Sequence, residues 1–526
     1  MDPITVTLDD LRLEANADPA LLSTLAARRL GISPDRIKGI RILKRSLDCR
    51  KKPFITRVYK AAVSAQVPGS ALKKPGIRLY KSEPYNVKRS ASSVRPVVVG
   101  SGPAGLFAAL VLSLSGLRPL ILERGEPVDL RKNKVERYWS GGELDPESNV
   151  QFGEGGAGAF SDGKLNTNVK NRRIDFILES FHRYGAPESV LFDAKPHVGT
   201  DVLEKVLLNM RRHLEELGAQ FVFSARFVGF SEKNGAICGV EYEKGGEKFG
   251  VETSRCILAP GHSAHDTFRA LFDSGVAIRS MPVAIGARIE HRQRDVDVAQ
   301  YGLEALGRYV LPPAEYKLSA NFADFSVHTF CMCPGGVVVA ASSDPLGVVT
   351  NGMSRSARDG VNANSALLVS TAGLYDQTEV FSSLEYIISV ERRAREYGGG
   401  LAPAQLAGDF LARRPSVGAG TVTPTYRPGV RFGSLDEVLG ETVCDRLREG
   451  LVRMDRMIPG FASPDAVLTA PETRSSSPVR ILRGEDCQSS VAGLYPCGEG
   501  AGFAGGIVSA AADGMLCAEK LIDSLD

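Results

Sequence analysis

Residues 95–125 read RPVVVGSGPAGLFAALVLSLSGLRPLILERG, and the order of residue types in this stretch decides the fold. A short apolar strand runs into three glycines, Gly100, Gly102 and Gly105, spaced Gly-x-Gly-x-x-Gly. An apolar helix from about Ala104 to Leu114 follows, and then a second apolar strand that ends on Glu123. Strand, glycine turn, helix, strand and acid together form a βαβ unit that binds a dinucleotide. The first glycine allows the tight turn, the second lets pyrophosphate approach the backbone, and the third lets helix and strand pack closely. The helix start at Ser101, Pro103 and Ala104 offers a positive dipole end and, Pro103 apart, free N–H groups to phosphates. Glu123, with Arg124 beside it, stands where a ribose hydroxyl pair is bound. An acid there disfavours a 2′-phosphate, which leaves NAD and FAD ahead of NADP.

The stretch GLYPCGEGAGFAGGIVSAAADGM, residues 493–515, chooses between them. After a strand it places Gly498 and Glu499, then a glycine-rich turn with Gly505, Gly506 and Ile507 opening a helix. NAD has no need of a second anchor so far along the chain. FAD does, because its ribityl chain and isoalloxazine extend beyond the ADP half. A carboxylate at 499 suits a ribityl hydroxyl, and a helix N-terminus at 505–507 suits the negative N1–O2 edge of a flavin. The cofactor read from these residues is FAD.

A second glycine run, QFGEGGAGAFSDGKL (151–165), repeats the spacing at Gly153, Gly155 and Gly158 but follows no strand. It is either a mobile surface loop or a site loop lying against a cofactor. Gly155, Gly156, Ser161, Asp162 and Lys164 favour the second. Lys164 then contacts phosphate or flavin, or else is an ordinary solvated lysine.

Composition excludes several classes. With 43% apolar and 24% charged residues the chain is an ordinary globular protein. Its longest apolar helical run, LFAALVLSL, is half of the roughly 20 residues that span a bilayer. The acidic N-terminus has no signal-like apolar core, so the expected location is cytoplasmic, away from membranes. Nine cysteines are too few and too odd in number for a disulfide scaffold, and no pair spacing suits a metal. Residues 1–95 hold 20 Lys/Arg against 8 Asp/Glu (+12), whereas the remainder holds 44 against 53 (−9). A basic front on an acidic body means either that the small domain docks on the large one or that it meets a polyanion.

The expected architecture is α/β. A basic N-terminal α+β module over 1–90, ferredoxin-like, has a helix in PALLSTLAARRLG and two strands, KGIRILKRSLD and FITRVYKAAVSAQ. A Rossmann-like FAD-binding domain follows over 95–275, with a β-meander before the strand CILAPG. An inserted mixed α+β substrate domain, less regular and rich in Pro-Gly turns, occupies 276–485. Residues 486–526 return to the FAD-binding domain.

The three cofactor-binding pieces resemble the FAD-binding fold of the glutathione reductase and p-hydroxybenzoate hydroxylase lineages. CILAPGH (256–262), with Pro260 and Gly261, resembles the strand-end motif that closes the first half of that fold. More narrowly, FGEGGAGAFSDGKL, FCMCPGG, PETRSSSPVRI and GLYPCGEGAGFAGGI resemble a family of bacterial and plastid FAD-dependent dehydrogenase-like proteins. The resemblance runs from about residue 38 to the C-terminus. It implies that Gly100, Gly102, Gly105, Glu123 and Glu499 contact FAD and that the loop 153–164 lies near it. It leaves the reaction open.

With the flavin carrying the electrons, the protein has only to orient a substrate and tune charge. Arg474 and Arg480 suit a bidentate clamp on an acidic substrate, or a salt bridge to Glu472 or a helix end. His262 and His265 follow the strand-end motif and suit acid–base work or a structural hydrogen bond. Cys331 and Cys333 are either two small thiols before a turn or a strained redox pair. The leading expectation is an FAD-dependent oxidoreductase, dehydrogenase or reductase, acting on a small substrate that is anionic if the arginines clamp it. No second dinucleotide unit is present, so NAD(P)H serves as a transient electron donor or another donor replaces it. The alternatives are a flavin-containing RNA-modifying or RNA-binding protein that uses the basic module, and an interaction protein in which FAD is structural. Only Phe54 and Tyr59 interleave with the basic residues, which is poor stacking equipment for RNA.

Overall fold

The computed structural model describes residues 3–81, 83–167 and 171–525. At its centre is a five-stranded parallel sheet in the order 494–496, 256–258, 97–99, 120–122, 220–222. The first four of these strands are buried on both faces, and each is a short, almost wholly apolar run. That is how a parallel strand reads when helices cover both sides of the sheet. The helix Pro103–Ser115 has Pro at its first position and ends on Gly116 at φ 103°. Nearly all its residues are buried, because the sheet lies on one side and the C-terminal helix Ile507–Asp523 on another. Gly514 makes that second contact possible: a Cβ there would stand 2.1 Å from the Ala104 carbonyl oxygen. An antiparallel meander, Arg226–Lys233, Ala236–Lys244 and Glu247–Glu252, leads into the strand Cys256–Leu258.

The chain leaves this domain through the strand Ile278–Ser280 and re-enters through Val479–Ile481, which pair antiparallel. Between them lies a seven-stranded sheet in the order 319–321, 326–333, 362–370, 284–292, 467–472, 402–406, 430–432. The helices Ser382–Gly398 and Glu441–Asp455 pack on it. This is far more regular than the sequence suggests. The central strands Ala284–Arg292 and Asn362–Ser370 bury Arg288, Glu290, Asn362, Asn364 and Ser365. Buried polar residues erase the apolar alternation by which such strands are recognised.

The N-terminal module has four antiparallel strands in the order 37–48, 56–65, 4–14, 77–79, one helix Leu21–Leu30, and its own apolar core. Its first strand, Ile4–Glu14, is absent from the sequence reading. Asp9 and Asp10 interrupt its apolar pattern, and the register shifts there between Leu8 and Leu11, with Asp10 at φ 60°. The module is docked on the body. Arg45 exchanges backbone hydrogen bonds with Phe192 and Ala194 and forks onto Asp193 at 2.7 and 3.0 Å. Tyr309 donates to Glu14, and Lys52 donates to the Ala299 carbonyl. Among the described residues, no helix is long and apolar enough to cross a membrane.

Candidate active site

One cavity of about 390 Å³ opens between the parallel sheet and the seven-stranded sheet. Its floor is the glycine turn. A Cβ at Gly100 would stand 2.2 Å from the Ala259 carbonyl oxygen, and one at Gly105 would stand 1.9 Å from the Gly100 carbonyl oxygen. Both positions admit only glycine because protein backbone fills the space. Gly102 differs. Its φ is −72° and the nearest atom to a Cβ there is the Gly156 Cα at 3.7 Å, an ordinary contact. Protein packing therefore does not require glycine at 102, which leaves the space over its backbone open to the cavity.

Two helices start at this cavity. Pro103 and Ala104 at the head of one, and Ile507 and Ala510 in the first turn of the other, line its wall. Neither helix carries a side-chain cap, which leaves first-turn N–H groups and two positive dipole ends facing the same cleft. Glu499 lines the cleft beside them. Its carboxylate has no hydrogen-bond or ion-pair partner among the described residues, and burial alone pushes its pKa up to about 7. The turn that presents it is anchored from behind: Gly498 donates its N–H to Asp513 at 2.8 Å, and Arg483 forks onto the same carboxylate. A group with phosphates to meet the N-termini and hydroxyls to meet Glu499 fits this donor and acceptor set.

Glu123 is buried, with all its acceptor sites used. Ser101 donates both N–H and Oγ–H to Oε2 at 2.8 Å, and Gly125 and Gly153 donate to Oε1 at 2.9 and 3.0 Å. The acid therefore ties the first glycine turn to the second glycine run. Arg124 stacks on Phe152 at 3.9 Å and pairs with Glu147 and Asp266, forming the wall at that end together with Arg226 and Phe227.

The second glycine run lies along the cavity and is held from behind by hydrogen bonds. Arg131, wholly buried, donates to three of its carbonyls, those of Gly153, Glu154 and Gly156, and to two just before it, those of Asn149 and Val150, at 2.7–3.2 Å. Nothing in its setting, DLRKNK, marks Arg131 as buried. Gly156, Lys164 and Asp162 reach the cavity; Gly155 lies beneath it against Leu207. Lys164 donates to the Met332 carbonyl across the cleft and stands 3.9 Å from Asp162.

Gly498, Gly505, Gly506, Pro260 and Gly261 also line the cavity, whereas Ser101 and Gly105 lie behind its surface. The catalytic candidates fare unevenly. Arg474 lines the cleft, but it is buried and forked onto Glu391 at 2.7 and 2.8 Å, so it is a strut and not a free clamp. Its partner is Glu391 because Glu472 is taken by Arg288. Arg480 lies outside the lining and donates twice to the Gly502 carbonyl. His262 faces the cleft, with Nδ1 3.0 Å from Ser263 Oγ. Burial and, secondarily, Arg474 hold its pKa down at about 3, so it stays neutral and cannot serve as an acid near pH 7. His265 starts the helix His265–Asp273 behind the lining, and burial keeps it neutral too.

Cys331 and Cys333 are free thiols. Cys333 is buried and its Sγ donates to the Cys331 carbonyl. Cys331, at φ 42° in a bulge between Phe330 and Cys333, exposes its side chain to the cleft. The depth of that cleft raises its pKa, which favours the thiol over the thiolate. The sequence reading missed Lys195, Glu315, Lys317 and Asn351, which line the same cavity from loops and short strands with no motif.

Residues 282–475 match the family described as FAD-dependent protein, C-terminal domain-like, and residues 6–64 match a domain of unknown function. A protein of Clostridium beijerinckii, described as an uncharacterized protein, is 40% identical over 535 residues, covering 99% of each chain. Solved structures are similar only distantly. The flavin-dependent brominase Bmp2 is 11% identical with a TM-score of 0.38, covering 82% of this chain and 80% of that one. A geranylgeranyl bacteriochlorophyll reductase-like protein from Thermoplasma acidophilum is 15% identical with a TM-score of 0.37, covering 82% and 79%. Likenesses this slight do not bear on the reaction.

Proposed function

We propose, on the premise that the chain belongs to the family of its Clostridium beijerinckii relative and has FAD as its cofactor, that it is an oxidoreductase acting on a small substrate in the cleft. The observation that carries this reading is the convergence on one cavity of two uncapped helix N-termini and an unpartnered carboxylate, opposite a wall supplied by a second domain. Bound there, FAD supplies two-electron redox chemistry.

The rest falls to the chain's own residues. Gly100, Gly102, Pro103 and Ala104 hold the pyrophosphate by backbone and dipole, with Gly155 and Gly156 bracing the turn. Arg124 walls the adenosine end, and Glu123, its acceptor sites taken by Ser101, Gly125 and Gly153, holds together the turn and the loop that receive it. Gly498 and Glu499 bind the ribityl end, and Gly505, Gly506 and Ile507 present the second positive helix terminus. Pro260 and Gly261 close the wall between the two halves. His262, neutral and held by Ser263, acts as a hydrogen-bonding wall and not as a proton donor. The substrate enters from the side of Lys164, Tyr316 and Cys331.

NAD(P)H is the proposed donor, docking transiently because the described residues offer one dinucleotide turn of this kind, at Gly100–Gly105. The test is the visible spectrum of the anaerobic holoprotein before and after addition of NADH or NADPH. Rapid bleaching of the flavin band is the expected result. A band that neither nicotinamide nor a panel of small organic acids bleaches would overturn the oxidoreductase reading and leave FAD a structural element.

A further inference from the structure

We propose that the substrate-domain end of the cleft is a binding site for a compact dianionic group, phosphate or dicarboxylate, held by Lys317 and Lys195. The proposal rests on the reading of the opposite end as the FAD site. Six charged groups from two domains surround this end: Lys164, Lys195, Lys317 and Arg358 against Asp162 and Glu315.

The two carboxylates are already committed. Arg358, buried and at φ 50°, forks onto Asp162 and places its third nitrogen 2.7 Å from Glu315. Lys164 spends its ammonium on the Met332 carbonyl, with Asp162 only at 3.9 Å. Lys195 makes one outlying contact to Glu315 at 3.4 Å, and its side chain is 63% exposed. Lys317 lines the cleft and makes no ion pair or side-chain hydrogen bond among the described residues. The remaining charges at this wall, Arg288 with Glu472 and Arg474 with Glu391, cancel in buried pairs.

Four cations against two anions leave two positive charges in excess at this end of a concave, partly enclosed cleft, offset only in part by Glu499 across from Cys331. Such a surface focuses its field on an incoming anion. Lysine ammoniums are compact point charges on flexible stems, suited to phosphate or carboxylate oxygens without the planar geometry an arginine imposes. A dianion matches the excess; a cationic or uncharged substrate leaves it uncompensated.

The experiment is calorimetric titration of FAD-saturated protein at constant ionic strength, with inorganic phosphate, malonate and, as a monoanion control, nitrate. Wild type, Lys317→Glu, Lys195→Glu and Lys317→Arg are compared, and flavin content is read by absorbance in each. Saturable binding of phosphate or malonate, weakened at least tenfold by Lys317→Glu and largely retained by Lys317→Arg, is the expected result. Whichever dianion binds identifies the source, a phosphorylated or a dicarboxylic substrate. Dianions that bind no better than nitrate, or binding that Lys317→Glu leaves unchanged, would overturn the proposal. If the protein takes up no FAD, the same titration on the isolated protein separates the two claims, because dianion binding that Lys317→Glu still weakens upholds this site while the flavin reading falls.

Discussion

On the side of the five-stranded parallel sheet the cleft is lined by backbone: the turn at 100–104, the run at 153–158 and the helix start at 505–507, with Glu499 unpartnered among the described residues. On the side of the seven-stranded sheet it is lined by side chains whose charges are mostly committed to one another, Arg288 to Glu472, Arg474 to Glu391 and Arg358 to Asp162 and Glu315. The first wall is intolerant of added atoms and the second of removed charges. A cofactor needs the close approach that bare backbone allows, whereas a substrate wall needs shape and field, which a lattice of buried ion pairs supplies.

Removing a charge from the second wall has the largest expected effect. Arg474→Ala leaves Glu391 buried without a partner and costs about 3–5 kcal/mol of stability. Urea unfolding checks this; an unchanged midpoint with lost turnover would instead make Arg474 a substrate clamp. Adding atoms to the first wall comes next. Gly105→Val drives a side chain into the Gly100 carbonyl, with about 1–3 kcal/mol lost to overpacking and flavin uptake lost with it. The sharper version is Gly102→Ala, whose Cβ meets no protein atom closer than 3.7 Å. Its stability without FAD is expected to stay within about 0.5 kcal/mol of wild type while flavin affinity falls at least tenfold. Equal losses of stability at 102 and 105 would erase the distinction between a packing glycine and a ligand glycine.

The smallest effect is a pH dependence. The folded state holds Glu499 at about 7, above its ordinary 4.5, so it binds a proton that the unfolded chain releases. The resulting stabilisation is full below the ordinary carboxylate value and is lost as pH rises through about 7. Glu154, also raised to about 7 by burial, contributes in the same direction. Buried His262 and His265, held neutral, act in the opposite direction as pH falls below the ordinary histidine value, so the readable outcome is a difference: FAD-free Glu499→Gln is expected to lose less urea resistance than wild type between pH 5 and pH 8.

The contrast between the walls also explains what could be read from residues alone. Glycine spacing after an apolar strand reports backbone geometry, so the turn at Gly100 and the return at Glu499 and Ile507 are legible without coordinates. Ion pairs that join residues 83 to 196 positions apart, as Arg474–Glu391 and Arg358–Asp162 do, leave no local trace. Arg474 was legible as charged and near the site, but its partner was not, and the partner decides whether it holds substrate or structure. Arg131 shows the same limit, since its surroundings read as an exposed helix while its side chain knits the site loop. The seven-stranded sheet stayed hidden because its central strands bury Arg288, Glu290 and Asn364 in place of apolar residues.

The most direct test of the central claim is the flavin content of the purified protein after incubation with FAD and gel filtration, read from its visible spectrum beside that of Gly102→Ala. The account predicts a yellow protein with about one flavin per chain, and a folded but nearly colourless variant. A wild-type protein that emerges folded and colourless would contradict it.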